Sequence, residues 1–373
     1  MSDDILFISR NFPPLTGGME RLMFETVKLL QQDYRVTLIG PKGSAAYAKD
    51  CEAVYELSVN PILFNMGALF LGGFVMLRKR FRLIIGGSGL VAPATSLLQT
   101  LFRTPSYVFV HGLDLVVDHV LYQTFILPMI RLSKNVIANS RPTAQLAQEA
   151  GIKEERISVL NPGTEIGAGE PVSFSVRDQH QLGTCPLMLY VGRIIERKGL
   201  LPFIEHSLPQ IIENLPQAKL LVIGDDALDA VNQSKPLLRE VRQTIQELQL
   251  QQHILFLGMA EDEVLNSAYR EADVLIFPLV PTKGDVEGFG MVAIEAAACG
   301  TPTVAFAVGG VSDAVIDGTS GLLVRPQDYH AFTSAVLKAI KTSSEFDENC
   351  RAHAKTFDWS IYGRKLAEIL DSP

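Results

Sequence analysis

Two glutamates bracket a glycine turn in the stretch DVEGFGMVAIEAAACGTP. Glu287 precedes Gly288 and Gly290, and Glu295 lies inside the apolar run that follows. Glycines let the backbone approach a ligand closely, and the free N–H groups of a helix that starts at Gly290 favour phosphate. Two carboxylates beside such a turn can accept hydrogen bonds from sugar hydroxyls. A buried structural carboxylate is the alternative for each, but the pair around one turn favours binding.

A group of cations follows an apolar run in the stretch LMLYVGRIIERKG. Cations at a strand end and helix start of a doubly wound domain lie beside its ligand crevice. Arg193 comes directly after the predicted strand. We expect Arg193 and Lys198 to neutralise charge on a diphosphate leaving group. For Arg197 we expect a solvent-exposed charge cluster with Glu196.

The loop RNFPPLTGG, near the start of the chain, connects an apolar run to a helical pattern. Gly17 and Gly18 lie where the helix would begin, and free N–H groups at a helix start favour an anion. The loop matches neither GxGxxG nor GxxxxGK[ST]. It is therefore equally typical of an anion site and of a structural turn.

The elements that must position these residues are short apolar runs that alternate with helical patterns. Near-continuous hydrophobicity is typical of parallel strands covered on both faces. The predicted strands are 5–9, 35–40, 82–87, 106–112, 135–140 and 157–163, then 187–193, 219–225, 254–258, 274–278, 302–306 and 321–324.

This alternation predicts an α/β chain with two doubly wound domains that face a central cleft. The predicted domains are residues 1–165 and 185–357, joined by a polar, glycine-containing linker at 166–184. The tail 358–370 has the spacing of an amphipathic helix and is compatible with either domain.

Composition restricts the possible partners. The 373 residues carry a net charge of -8, which argues against general affinity for nucleic acid. Residues 1–165 have a net charge of +2 and the remainder -10. The cysteines are far apart and form no CxxC pair, which disfavours zinc and disulfides and fits a reducing cytoplasm. The start MSDDILFIS shows no secretory signal, so we expect a cytoplasmic protein.

These motifs resemble the retaining nucleotide-sugar glycosyltransferases of the GT-B fold. The resemblance rests on EGFGMVAIE, with glutamates at 287 and 295, and on GRIIERKG at 192–199. It extends to the PPLTGG loop, HG at 111–112, NPG at 161–163 and GGVSD at 309–313, so it covers nearly the whole chain. The most similar group is family 4, which includes mannosyltransferases and lipopolysaccharide glucosyltransferases. It implies a GT-B fold of two Rossmann-like domains.

The resemblance implies a role for each matching position. Arg193 and Lys198 would hold the donor diphosphate, Glu295 the nucleotide ribose and Glu287 a hydroxyl of the transferred sugar. The backbone that contacts sugar and phosphates would be that of Gly288, Phe289, Gly290, Met291 and Val292.

In the first domain, the resemblance implies that Gly17 and Gly18 approach the phosphate, so that both domains close on the donor. His111 would lie near the sugar and the acceptor. A satisfied strand-end histidine is the alternative. The helix at 358–373 would return to the first domain.

The chemistry implied is retaining transfer without a metal. GDD at 224–226 and EDE at 261–263 do not supply a D-x-D beside a glycine-rich donor loop. We therefore expect no catalytic metal and no other cofactor, with Arg193 and Lys198 in the charge role that Mg²⁺ or Mn²⁺ has elsewhere. No second carboxylate is evident as a nucleophile, so we favour same-face attack in which the leaving diphosphate accepts the proton. His111 is then a positioning and electrostatic residue.

A long uncharged stretch raises the question of a membrane. LSVNPILFNMGALFLGGFVML is followed by RKRFR. A buried crossover helix and an interfacial helix are both compatible with it. In the second interpretation, Arg78, Lys79, Arg80 and Arg82 contact anionic headgroups, and the acceptor is a lipid-linked saccharide or glycolipid at the inner leaflet.

Other activities remain as alternatives. A dehydrogenase would need GxGxxG after a strand, which is missing. A nucleotide-sugar epimerase of the GT-B fold and a non-catalytic sugar-binding protein share the architecture. The resemblance implies a UDP- or GDP-sugar donor and a glycan or glycolipid acceptor in surface polysaccharide or glycolipid synthesis, without choosing among them.

Overall fold

The chain divides into two compact units in this computed structural model, which describes residues 3–166, 174–226 and 237–372. The first unit comprises Met1–Gly163 and Trp359–Pro373, and the second comprises Thr164–Asp358. Each unit contains one parallel sheet covered by helices.

The first unit has seven parallel strands in its described part, in the order β3-β2-β1-β4-β5-β6-β7. The strands are β1 Asp4–Ile8, β2 Arg35–Pro41, β3 Ala53–Leu57, β4 Leu83–Gly86, β5 Ser106–Val110, β6 Asn135–Ala138 and β7 Ile157–Val159. The helices are α1 Gly18–Leu30, α2 Pro61–Arg78, α3 Ala92–Phe102, α4 Leu113–Val116, α5 Leu127–Leu132 and α6 Arg141–Glu149.

The central strands of the first unit are buried on both faces, since every residue from Asp4 to Ile8 is buried. The chain reverses its direction across the sheet between β1 and β4, because β1 pairs with both β2 and β4. In open α/β sheets, ligands bind outside the carboxyl ends of the strands at such a reversal.

The second unit repeats the plan with six parallel strands in its described part, in the order β10-β9-β8-β11-β12-β13. The strands are β8 Leu187–Val191, β9 Lys219–Ile223, β10 Ile254–Gly258, β11 Val274–Phe277, β12 Thr303–Phe306 and β13 Gly321–Val324. The helices are α7 Val176–Gln179, α8 Leu200–His206, α9 Leu208–Asn214, α10 Leu237–Glu247, α11 Asp262–Glu271, α12 Met291–Ala298, α13 Val311–Ala314, α14 Tyr329–Lys341 and α15 Ser343–Lys355. Its reversal lies between β8 and β11.

The C-terminal helix α16, Trp359–Asp371, belongs to the first unit. Its Tyr362 hydroxyl contacts the Thr26 hydroxyl of α1 at 2.7 Å. The Trp359 ring covers Gly163, where a Cβ would lie 2.3 Å from the ring. Gly163 therefore lets the indole pack directly against the backbone.

Two features differ from the sequence prediction. Strand β3 was not predicted, because it is a partly exposed edge strand whose polar Glu56 interrupts the apolar run. Residues 174–184 of the predicted linker 166–184 pack in the second unit, where Val176 of α7 is fully buried in the core. Residues 167–173 of that segment lie outside the described residues.

Candidate functional site

The reversal point of the second sheet brings Lys198 and Glu287 together. Lys198 follows β8 and Glu287 follows β11, which are adjacent strands. The Lys198 ammonium donates a hydrogen bond to Glu287 Oε2 at 2.8 Å, and it lies 4.8 Å from the centre of the Phe277 ring. Neither residue is close to the other in sequence, so the sheet topology creates this pair.

Arg197 joins the same cluster, which corrects the expectation that it is solvent-exposed. Its side chain is only 8% exposed, and it pairs with both Asp285 and Glu287. The distance from Arg197 Nε to Asp285 Oδ1 is 3.0 Å. The Arg197 guanidinium and the Lys198 ammonium contact the same oxygen, Glu287 Oε2.

The cluster holds Glu287 in its ionised form. Burial alone would raise the pKa of Glu287, but the charges and hydrogen bonds of Lys198 and Arg197 lower it to about 2. Burial lowers the pKa of Lys198, and the nearby charges of Arg197 and Arg193 add to that effect, against the attraction of Glu287. Lys198 is therefore a desolvated cation whose charge depends on an anionic neighbour.

Two glycines make this arrangement possible. Gly199 has a φ of +70°, and a Cβ there would lie 1.8 Å from the Pro278 carbonyl oxygen. Gly290 has a φ of +100° and precedes α12. The first glycine lets the turn after β8 pack on the segment after β11, and the second starts α12 beside Glu287.

The predicted donor residues 288–292 and Glu295 follow Glu287 along the chain. Gly288, Phe289 and Gly290 are buried, Phe289 packs in the core, and Met291 and Val292 form the first turn of α12. Glu295, one turn further along, accepts a hydrogen bond from the Tyr269 hydroxyl at 2.8 Å.

Arg193 is exposed at the end of β8 and does not join the Glu287 ion pairs that the structure describes. Its main-chain carbonyl accepts a hydrogen bond from the Tyr190 hydroxyl at 3.1 Å. Its positive charge contributes to lowering the pKa of Lys198. It therefore lies at the solvent side of the cluster.

In the first unit, His111 directly follows β5 and is buried. Its Nε2 lies 2.9 Å from the Gly87 carbonyl oxygen after β4. Because a carbonyl only accepts, Nε2 carries the proton. Among the described residues, Nδ1 has no hydrogen-bond partner.

Asp114 fixes the segment that carries His111. Its Oδ2 accepts the His111 backbone N–H at 2.8 Å, and burial raises its pKa against the effect of His111 and of backbone hydrogen bonds. Asp114 was not predicted, although it lies three residues after His111 in the sequence HGLD. Tyr269 and Asp285 were likewise not predicted.

The loop with Gly17 and Gly18 starts helix α1, as Gly17 is its N-cap. The carboxylate of Glu20 lies beside Gly17, and it accepts a hydrogen bond from Asn11 Nδ2 at 2.8 Å. A side-chain anion is thus present in the first turn of the helix. A phosphate role for Gly17 and Gly18 stays a prediction.

The four cations of the RKRFR segment differ from one another. Lys79 pairs with Asp4 and Glu52, and Arg82 pairs with Asp371. The interfacial interpretation expects both cations to contact lipid headgroups, but each is already paired with carboxylates of its own unit. Arg78 and Arg80 are exposed.

No group of three or more His, Cys, Asp or Glu side chains that could hold a metal ion occurs within residues 3–166, 174–226 and 237–372. Transfer without a metal stays a prediction. Of the described helices, α2 alone is long and apolar enough to cross a membrane, with a mean hydropathy of 1.5 over 18 residues.

Two family models match most of the chain. "Glycosyltransferase Family 4" matches residues 16–167, and "Glycosyl transferases group 1" matches residues 174–357. The first match includes the segment of His111, and the second includes the Lys198–Glu287 cluster.

Relatives and solved structures agree with these matches. A GDP-mannose-dependent alpha-(1-6)-phosphatidylinositol monomannoside mannosyltransferase of Mycolicibacterium smegmatis is 26% identical, over 98% of this chain and 98% of that protein. D-inositol 3-phosphate glycosyltransferase 2 of Catenulispora acidiphila is 30% identical over 65% of this chain, and the match spans 56% of that protein.

The structure of Anabaena Alr3699/HepE in complex with UDP has a TM-score of 0.81 at 20% identity, and the match covers 99% of this chain and 100% of that one. The same protein has been solved with UDP-glucose. The fold is therefore GT-B, and the chain belongs to the family 4 glycosyltransferases.

Proposed function

We propose that this enzyme is a retaining, metal-independent glycosyltransferase that moves a sugar from a UDP- or GDP-sugar to a glycan or lipid-linked saccharide. The observation that carries the proposal is the contact of Lys198 with Glu287 at the reversal point of the second sheet. It combines a cation for a diphosphate with an ionised acceptor for sugar hydroxyls.

Leaving-group departure requires positive charge near the diphosphate, and Lys198 and Arg193 supply it after β8. Glu287 remains ionised at neutral pH, because its pKa lies at about 2. It can therefore accept hydrogen bonds from the sugar but cannot donate a proton. These properties support a role in orienting the sugar, with the leaving diphosphate as the proton acceptor.

His111 is the residue of the first unit that we assign to the transferred sugar. Its Nε2 proton is used by Gly87, which leaves Nδ1 as a hydrogen-bond acceptor. A ring held in this way can position a hydroxyl group of the sugar through Nδ1 and can act electrostatically on charge that develops on the sugar.

Both nucleotides occur among the similar proteins: one relative is named as GDP-mannose-dependent, and one protein of similar structure was solved with UDP-glucose. The phosphatidylinositol mannoside in the first name favours a lipid-linked acceptor. We place the enzyme in the cytoplasm, in peripheral contact with the inner leaflet, in surface polysaccharide or glycolipid synthesis.

Thermal stabilisation by a panel of UDP- and GDP-sugars tests the proposal. The specific donor should raise the melting temperature by mass action. Lys198→Met should lose most of that shift, whereas Lys338→Met, on the exposed surface of α14, should retain it. If no nucleotide sugar stabilises the wild type, or if both variants respond alike, the proposed donor site is wrong.

Product analysis separates the alternatives. A transferase gives a glycosylated acceptor with the donor's anomeric configuration, and an epimerase gives an altered sugar without acceptor. A sugar-binding protein gives neither. Activity that disappears on exhaustive metal chelation, and returns with Mg²⁺ or Mn²⁺, would overturn the metal-independent route.

A further inference from the structure

The first unit exposes a large number of apolar helical side chains to solvent, which is unusual for a surface that contacts only water. Helix α2 buries one side, including Phe64 and Ala68, against the sheet. On the opposite side, Phe70 is 76% exposed and Leu77 is 79% exposed. The exposed apolar residues of α2 are Ile62, Leu63, Met66, Phe70, Phe74 and Leu77.

The face continues onto the neighbouring helices. Helix α3 packs against α2 and α5 packs against α3. Leu101 of α3 is 70% exposed, and Phe125 and Leu132 beside and within α5 are also exposed. No charged residue occurs between Arg82 and Arg103 in the sequence. We call this surface, formed by the exposed residues of α2, α3 and α5, the apolar face.

Arginines mark one end of the apolar face. Helices α2, α3 and α5 each return from the carboxyl end of one strand to the amino end of the next, so all three end at the same edge of the sheet. Arg78 ends α2, Arg80 follows it, Arg103 caps α3 and Arg131 lies in the last turn of α5. All four are exposed.

We propose that the apolar face is a docking surface for an anionic lipid bilayer, with α2, α3 and α5 at the acyl–headgroup boundary and the arginines on lipid phosphates. An apolar surface flanked by cations matches this partner in both chemistry and charge. The proposal deepens the proposed function, since it rests on a lipid-linked acceptor. It assigns no role to Lys79 and Arg82, whose charges are paired.

Sedimentation with phosphatidylcholine vesicles, with and without phosphatidylglycerol, tests this surface without any donor. The wild type should bind the anionic vesicles at low salt. The triple variant Phe70→Ser/Leu77→Ser/Leu101→Ser should bind at least about 100-fold more weakly. Arg78→Gln/Arg80→Gln/Arg103→Gln should lose about 100-fold, at roughly fivefold per arginine, and most of the salt dependence.

Matched controls lie on the second unit. Leu248→Ser/Met259→Ser removes exposed apolar side chains and Lys338→Gln/Lys341→Gln/Lys355→Gln removes exposed cations, and both should bind vesicles like the wild type. Absent wild-type binding, or equal loss in the controls, overturns the docking surface. Self-association that only the apolar triple variant abolishes, with no vesicle binding, would instead assign the apolar face to a second copy. Transfer to a soluble acceptor reports on the proposed function separately.

An independent observation concerns Arg197. It makes two contacts with the segment after β11: its carbonyl accepts the Val280 N–H at 2.9 Å, and its guanidinium pairs with Asp285. The Glu287 backbone is held as well, since its carbonyl accepts the Gly310 N–H at 2.9 Å. Arg197 and Glu287 are thus fixed to each other, whereas Lys198 reaches the same carboxylate through a flexible chain.

We infer that Arg197 is a positioning residue that keeps Glu287 ionised and oriented while Lys198 moves from Glu287 to the donor diphosphate. Without Arg197, Lys198 would be the sole counter-ion of Glu287 in this cluster, and a diphosphate would have to break that pair to bind. Asp285 supports the exchange, since it fixes the guanidinium. This inference also rests on the proposed function.

Calorimetric titration with UDP and GDP tests the exchange. Arg197→Met should weaken the affinity of the nucleotide that binds by about tenfold, and Arg197→Lys should restore part of it. The double variant Arg197→Met/Glu287→Gln should regain nucleotide affinity while its turnover stays low, because no carboxylate then retains Lys198. A merely structural role predicts further loss in the double variant, and that result overturns the inference. If the wild type binds neither nucleotide, the proposed donor site itself fails.

Discussion

In the first unit, sixteen of the large apolar side chains that the structure describes are exposed, against three in the second unit. The second unit, in contrast, buries two basic side chains, Arg197 and Lys198, beside Glu287. Two units with the same parallel-sheet architecture therefore differ in their chemistry. The outer helices of the first unit suit an apolar partner, and the strand ends of the second suit a compact, highly charged ligand.

The physical cost of the two arrangements differs as well. Exposed leucine and phenylalanine side chains forgo about 1.5–3 kcal/mol each of burial energy, which a bilayer can return. Burying an ion cluster costs the hydration free energy of its charges. This cost is offset only where each charge has well-placed ion pairs and hydrogen bonds. Each unit thus departs from the most stable surface or core at the place where we propose that it binds.

The largest expected effect comes from removing the charge of Glu287 in the second unit. Glu287→Gln keeps the size of the side chain but removes the acceptor charge, so we expect kcat/KM to fall about 1,000-fold, equivalent to about 4 kcal/mol. Steady-state kinetics with the identified donor measures this fall.

The variant also leaves Arg197 and Lys198 without their shared carboxylate, so its melting temperature must be recorded alongside. Glu348→Gln, an exposed change on α15, is the matched control. Activity of Glu287→Gln within tenfold of the wild type, in a folded protein, would contradict the role assigned to this residue.

The second expected effect is on stability against acid. The folded-state pKa of Glu287 is about 2, below its ordinary value of 4.5, so its ion pairs contribute fully above about pH 4.5. That contribution, about 3 kcal/mol, should be lost as the pH falls towards 2.

Urea unfolding at pH 5 and pH 3 measures the loss. The wild type should lose more stability between these values than Glu287→Gln, which has no carboxylate to protonate. Equal slopes for the two proteins would show that the cluster does not hold Glu287 ionised. Activity should show no acid limb from Glu287 above pH 4.5, since the group stays ionised there.

The third expected effect concerns the first unit. His111→Ala should lower kcat about 100-fold, because the Nδ1 acceptor is lost, while the affinity for the nucleotide changes little. Kinetics and calorimetry together separate these quantities. Asp114→Asn retains the ring but weakens its support, and should give a smaller loss in the same direction. Turnover like that of the wild type in His111→Ala would restrict the chemistry to the second unit.

The sequence predicted the parts of these sites that depend on strand ends. Lys198 could be singled out because it lies beside a glycine after an apolar run, and Glu287 because it precedes a glycine turn that opens an apolar helix. Parallel strands place their carboxyl ends at one edge of the sheet. Strand β3 was missed because an edge strand needs no continuous apolar run, and Glu56 lies in it.

Arg197 could not be predicted in the same way. Whether a side chain beside Lys198 points inward depends on the turn that ends at Gly199, whose positive φ is a tertiary feature. Its partner Asp285 and the Glu295 partner Tyr269 are polar groups of distant segments, which only the folded backbone brings within reach. The sequence also could not predict which side of α2 is exposed, because this helix is apolar on both sides.

The smallest expected effect tests how α16 is held to the first unit. Thr26 Oγ1 donates its proton to the Leu22 carbonyl at 2.7 Å, so the Tyr362 hydroxyl must donate to Thr26. Tyr362→Phe therefore removes one buried hydrogen bond but leaves Thr26 satisfied, and should cost about 1 kcal/mol of unfolding free energy.

Thr26→Val is the informative counterpart, because it leaves the buried Tyr362 hydroxyl without its acceptor and should cost more, about 1–3 kcal/mol. The double variant should be less destabilised than the sum of the two, as the same hydrogen bond is counted in each. Urea unfolding of all four proteins measures this cycle. Strict additivity would mean that the two hydroxyls do not interact.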